Sequence, residues 1–123
     1  MGYVYFIDGG NDRHVKVGFS GDPWSRLQAA KTWAPSRRLK MIDFFKAGRQ
    51  EEQMLHEHLR NFAVQGEWFD CIGYAESVVE ELDDFRHEEW LVQRAKKGLP
   101  FDERWPGLEQ IDCSKAIRRL CFP

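Results

Sequence analysis

Five side chains of chemically distinct kinds fall in the first half of the sequence: Tyr5, Lys16, Arg26, Glu52 and His56. Together they suit one reaction. A phosphodiester is cut by in-line attack of water, which must lose a proton while charge builds on the phosphoryl oxygens, and a metal ion can serve both needs. A phenol or amine beside the water, a guanidinium on the phosphate and a carboxylate on the metal would supply the parts. A single carboxylate suits Mg²⁺, which prefers oxygen ligands and keeps several of its waters. Gly18 adds a place where backbone can approach a ligand closely. Each residue also has a structural reading: Tyr3 and Tyr5 as core aromatics of a strand, Arg26 as a solvated helix residue, and Glu52 with His56 as an i,i+4 surface pair.

These residues need elements to hold them. Residues 3–7 are aromatic and β-branched, and the turn cluster Gly9-Gly10-Asn11-Asp12 separates them from residues 14–19, which predicts a β-hairpin with Gly18 at its end. Asp22-Pro23 then supplies an N-cap and a first-turn proline, and Trp24, Leu27 and Ala30 recur at helical spacing to about Thr32. A third strand is expected over residues 39–45. Residues 49–62 place Leu55, Leu59 and Phe62 on one stripe with Glu52, His56 and Arg60 beside it, an amphipathic helix. Gln65-Gly66 turns the chain into Glu67-Trp68-Phe69-Asp70, where Trp68 and Phe69 are expected to close the core and Glu67 to cap or brace the arginine. An acidic helix follows from about Ala75 to Lys97, with a phase slip at residues 86–89 that predicts a bend or a second helix. Beyond Leu99 an irregular aromatic segment and a short helix, Ser114 to Leu120, are expected to pack on the body. The fold class is α/β (α+β): a small three-stranded sheet, antiparallel or mixed, flanked by helices.

Composition narrows the classes. The 123 residues are 42% hydrophobic and 31% charged, enough apolar mass for one compact core and too much for a disordered chain. No apolar run spans a bilayer and no leader-like start is visible, which places the chain in the cytoplasm with no membrane partner. Cys71, Cys113 and Cys121 form no C-x-x-C pair, so they are expected to be reduced and structural. The net charge of -2 conceals an asymmetry: residues 1–50 carry nine Lys and Arg against four Asp and Glu, and the remainder carries nine against sixteen. Contact with nucleic acid is therefore expected on the first half, with the acidic run Glu80, Glu81, Asp83, Asp84 turned away from it. His56-Glu57-His58 is not a zinc pair, since i,i+2 positions point some 200° apart on a helix.

The order Tyr3-Val4-Tyr5, ten residues, Lys16-Val17-Gly18, Arg26, Glu52-x-x-Leu55-His56 and Gly66-Glu67-Trp68-Phe69 resembles the GIY-YIG endonuclease superfamily. It is most similar to the small phage- and bacterium-borne branch with a Lys-Ile-Gly second motif and a Gly-Glu-Trp-Phe motif. The resemblance covers roughly residues 2–70. It implies a nuclease core over residues 1–70, with residues 71–123 as a helical and irregular extension packed on it in one structural domain.

The resemblance implies a metal-dependent endonuclease that hydrolyses phosphodiester bonds in DNA with Mg²⁺ or Mn²⁺. Tyr5 would orient or deprotonate the water. Lys16 stands where many members have a second tyrosine, which leaves two claimants for the general base. Gly18 would let helix and substrate approach, with Tyr3 and Arg26 also on the substrate side. Arg26 would bind the scissile phosphate with its planar fork. Glu52 would hold the metal, Glu51 being its neighbour at the wrong spacing, and His56 would touch a phosphate or a metal-bound water. The late asparagine of several branches has no counterpart here. With no separate DNA-reading module in view, sequence specificity is expected to be weak or to come from a homodimer or a protein partner. The alternatives are a catalytically inactive module that grips nucleic acid or protein, and an interaction protein docking through Trp90, Trp105 and Phe122.

Overall fold

The structure is a computed structural model that describes residues 2–10 and 13–123. Asn11 and Asp12, half of the expected hairpin turn, lie outside the described residues.

Strands β1 (Gly2–Asp8) and β2 (His14–Ser20) pair antiparallel in the expected hairpin, with Tyr5 opposite Gly18. Helix α1 (Pro23–Trp33) follows: the Asp22 carboxylate accepts from the Ser25 N–H at 3.1 Å, and Pro23 opens the first turn, where its missing N–H costs nothing. Strand β3 (Lys40–Ala47) pairs with the other side of β1. Helix α2 (Arg49–His58) is shorter than the stripe predicted, because Arg60–Phe62 tighten into a separate 3-10 turn. Strands β4 (Ala63–Gln65) and β5 (Trp68–Asp70) form a second, very short hairpin. Helix α3 (Ile72–Lys96) and helix α4 (Ser114–Cys121) complete the chain.

The sheet therefore has five strands in the order β3-β1-β2-β5-β4, all paired antiparallel, where the sequence predicted three. The two additional strands have three residues each, too short for a periodic signal, and β4 is fully exposed, with no in-out alternation. Alternation does govern β1 and β2. Val4, Phe6, Val15 and Val17 enter the larger core with Phe45, Leu55, Leu59, Val78, Leu82 and Ile117, beneath α2, α3 and α4. Tyr5 and Ile7 point the other way and meet Leu27 and Leu39 under α1.

Helix α3 is one continuous helix of 25 residues, with no second helix starting at 86–89. The apolar phase slips there because the inward position is occupied by a cation. Arg86 is 6% exposed and donates to Asp83 at 2.6 Å, to Asp43 at 2.9 Å and to the Phe44 carbonyl at 3.0 Å, with its guanidinium over the Phe45 ring. The expected irregular segment packs back on α3: Trp90 donates its indole N–H to the Pro106 carbonyl at 2.9 Å and its ring lies 4.7 Å from that of Trp105. Cys113 donates its backbone N–H to the Lys46 carbonyl at 2.8 Å, and a single parallel bridge links Lys46 to Asp112. Among the described residues, no helix is long and apolar enough to cross a membrane.

Candidate active site

The α1 side of the sheet carries Tyr5, Lys16 and Gly18 on adjacent strands. Gly18 lies inside β2 rather than at its end, and the space above it is already taken: a Cβ there would collide with Cζ and the hydroxyl of Tyr5. The glycine expected to admit substrate instead seats the phenol. The Lys16 ammonium stands 5.9 Å from the centre of the same ring. Arg26 is exposed on α1, and its charge acts on the Tyr5 hydroxyl together with those of Glu67 and Glu52. Burial is the largest influence on Tyr5, followed by Glu67; against the opposing pull of Arg26, its pKa is pushed up to about 12.

Helix α2 delivers the carboxylates to different places. Glu51 reaches back to the Gly48 N–H at 2.7 Å, accepts from the Ser114 hydroxyl at 3.1 Å and pairs with Arg118 at 3.2 Å. It is a structural clasp between α2 and α4. Glu52 turns to the site, where its carboxylate lies 4.0 Å from His56 Nε2 and one helical turn away in sequence. Burial raises the pKa of Glu52 most; His56 lowers it and Glu67 raises it further.

His56 is fixed by β2. Its Nε2 lies 2.7 Å from the Val17 carbonyl, and since a carbonyl only accepts, Nε2 is the donor. His58 points elsewhere, to the Tyr74 hydroxyl at 2.6 Å, as the rejected zinc pairing requires. Tyr3 is not drawn into the group: its hydroxyl accepts from Gln110 at 2.8 Å and its ring packs edge-on against Phe44.

Glu67 has neighbours that the sequence reading did not foresee. Rather than only bracing Arg26, it joins Glu52 and His56, and the three offer ligand atoms within 4.8 Å of one another. Local structure explains its position. Gly66 and Glu67 are the two-residue turn between β4 and β5; Gly66 takes a left-handed φ of 57°, and the Glu67 carbonyl accepts from the Val17 N–H at 3.0 Å. The turn thus pins Glu67 to the same residue whose carbonyl orients His56. The Gly-Glu-Trp-Phe motif marked this position, but a lone glutamate in a turn carries no sign of the partners it will meet.

The T5orf172 domain model matches residues 2–92. The chain belongs to the T5orf172 domain family. This T5orf172 match contains every residue of the group just described and runs past residue 70 through most of α3. The domain is phage-associated and linked to nuclease-type folds. No curated protein and no solved structure matches the chain.

Proposed function

We propose that this T5orf172 chain is a metal-dependent endonuclease of the GIY-YIG type that hydrolyses phosphodiester bonds in DNA. One observation carries the reading: a phenol seated on Gly18 stands beside an ammonium and within the field of a guanidinium and two carboxylates. The donor set of Glu52, His56 and Glu67 fits a hydrated divalent cation, Mg²⁺ or Mn²⁺. When bound there, the ion would offset charge on the phosphate and make the attacking water more acidic.

The chain's own residues divide the remaining work. Tyr5 stays protonated at neutral pH, so its hydroxyl orients the water by hydrogen bonding and is not the free base. Lys16 contributes positive charge beside that hydroxyl. Arg26, free of the core on α1, presents two parallel N–H groups to the scissile phosphate. His56, whose Nε2 is held by the Val17 carbonyl, stands 4.0 Å from the Glu52 carboxylate, beside the ion or its water.

The test is cleavage of plasmid DNA by purified protein with Mg²⁺ or Mn²⁺. Cleavage is expected, and Glu52→Gln and Arg26→Ala are each expected to lower it at least a hundredfold. Undiminished cutting by Glu52→Gln overturns the assignment. Metal binding through Glu52 and Glu67 with no strand cut under any ion identifies a binding module instead.

A further inference from the structure

Helix α1 has one buried seam and two flanks. Leu27 is buried in the smaller core, and Ala30 and Ala34 pack against it. On one flank Trp24 turns towards β3, its ring meeting Phe44 at 6.0 Å. Arg26 and Trp33 are seven residues apart, so they share the opposite flank, about 10 Å from each other along the helix axis. Trp33 ends that flank 88% exposed, the most exposed large apolar side chain among the described residues.

Beyond Trp33 the chain passes Ala34-Pro35-Ser36 to Arg37 and Arg38, and Arg37 places its guanidinium 5.7 Å from the Trp68 ring of β5. Trp68 itself pairs with Lys16, the site lysine, across the β2–β5 ladder. Arg37 and Trp68 line a groove of about 310 Å³ with His14, Ala34, Val64 and Gln65, and Trp33 is the chain neighbour of the lining Ala34. Its Trp68 wall is the cross-strand neighbour of Lys16. Arg37 offers a cation to a phosphate backbone, and the exposed Trp33 beside the groove offers a ring on which a base of any identity can stack, the parts of a single-strand track.

We propose that this groove holds an unpaired strand of the nucleic acid next to the scissile phosphate, with Trp33 stacking on a base and Arg37 contacting the backbone. The inference rests on the reading that Arg26 binds the scissile phosphate; Trp33, two helical turns further along the same flank, then receives a base one or two nucleotides away. A fully paired duplex keeps its bases stacked on one another and has none to offer Trp33. The favoured substrates are therefore DNAs with a flap, a splayed end or a single-stranded segment at the cut.

The experiment uses the full chain carrying Glu52→Gln and a fluorescein-labelled oligothymidine, read by fluorescence anisotropy, with a blunt duplex as the second probe. Trp33→Ala, exposed and unable to disturb the core, is expected to weaken oligothymidine binding about tenfold or more. Arg37→Ala is expected to weaken it and to flatten its salt dependence by about one counterion. Trp24→Ala, on the other flank, is expected to bind as the parent does, and duplex affinity is expected to change little in all three. Unaltered oligothymidine affinity in Trp33→Ala, an equal loss in Trp24→Ala, or an equal loss for duplex overturns the groove. If the wild-type chain cuts no DNA while these binding losses hold, the groove stands and the nuclease assignment falls; cutting with no effect of Trp33→Ala gives the reverse.

Discussion

The ring of Tyr5 occupies the space that a side chain on Gly18 would fill, and the two residues face each other across the β1–β2 ladder. The glycine is thus part of how the hydroxyl is aimed. Gly18→Ala has to push the phenol aside, because the added methyl meets Cζ and the hydroxyl, and Tyr5 is itself walled in by Leu27 and Leu39. A loss of about 1–3 kcal/mol of stability is expected from the overpacking. Cleavage should fall as far as it does in Tyr5→Phe, measured side by side with thermal melts of both variants. An active Gly18→Ala would show that the phenol's placement does not matter.

Adjacent glutamates on α2 should behave in opposite ways. Glu51 is 3% exposed and holds the Gly48 N–H, the Ser114 hydroxyl and Arg118. Glu51→Ala leaves buried donors without acceptors and should cost about 2 kcal/mol in denaturant unfolding. Whatever fraction remains folded should still bind a divalent cation. Retained stability in Glu51→Ala would contradict the clasp between α2 and α4.

Glu52 carries a pH signature of the reverse sign. Burial raises its pKa in the folded protein, so the folded state holds the proton more tightly than the unfolded chain does. The stability this group contributes is complete below the ordinary glutamate range and is lost as the pH rises through its higher folded value. In metal-free protein at neutral pH, Glu52→Gln should therefore melt at a higher temperature than the wild type. The advantage should shrink as the pH is lowered into the ordinary glutamate range. Added Mn²⁺ should raise the wild-type melting temperature and leave the variant unchanged. A variant less stable than wild type at neutral pH would count against this account.

The C-terminal third should prove inseparable from the rest. Cys113 and Ile117 are fully buried in the larger core with Val4, Phe45 and Leu55. A chain stopped after Gly98 uncovers that core and is expected to lose cooperative unfolding in calorimetry and to bind a hydrophobic dye. A sharp calorimetric transition in the truncated chain would show that residues 99–123 are dispensable to the fold.

What the sequence disclosed follows physical lines. The first hairpin, α1 with its Asp22 cap, β3 and α4 were legible because their patterning is local: alternation, a capping residue, a helical stripe. The continuity of α3 was hidden because Arg86 fills an apolar position with a paired charge, which no hydrophobic period registers. The β4–β5 hairpin was hidden by its brevity, and with it the partnership of Glu67 with Glu52 and His56, which only the pairing of β5 to β2 creates. Tyr3 was legible as an aromatic strand residue, but its bond to Gln110 spans most of the chain and leaves no local trace.

On the β3 side of the sheet, backbone groups of two residues are spent on their own chain: the Phe44 carbonyl accepts from Arg86, the Phe44 N–H donates to Asp43, and the Lys46 carbonyl accepts from Cys113. A foreign strand finds those groups already taken, which makes that stretch of the margin a poorer template for edge-to-edge pairing. The opposite margin is the three-residue β4, too short to seed lengthy pairing and adjoining the groove beside Trp68. A neighbour that added to the sheet at β4 would crowd the groove that Val64 and Gln65 line.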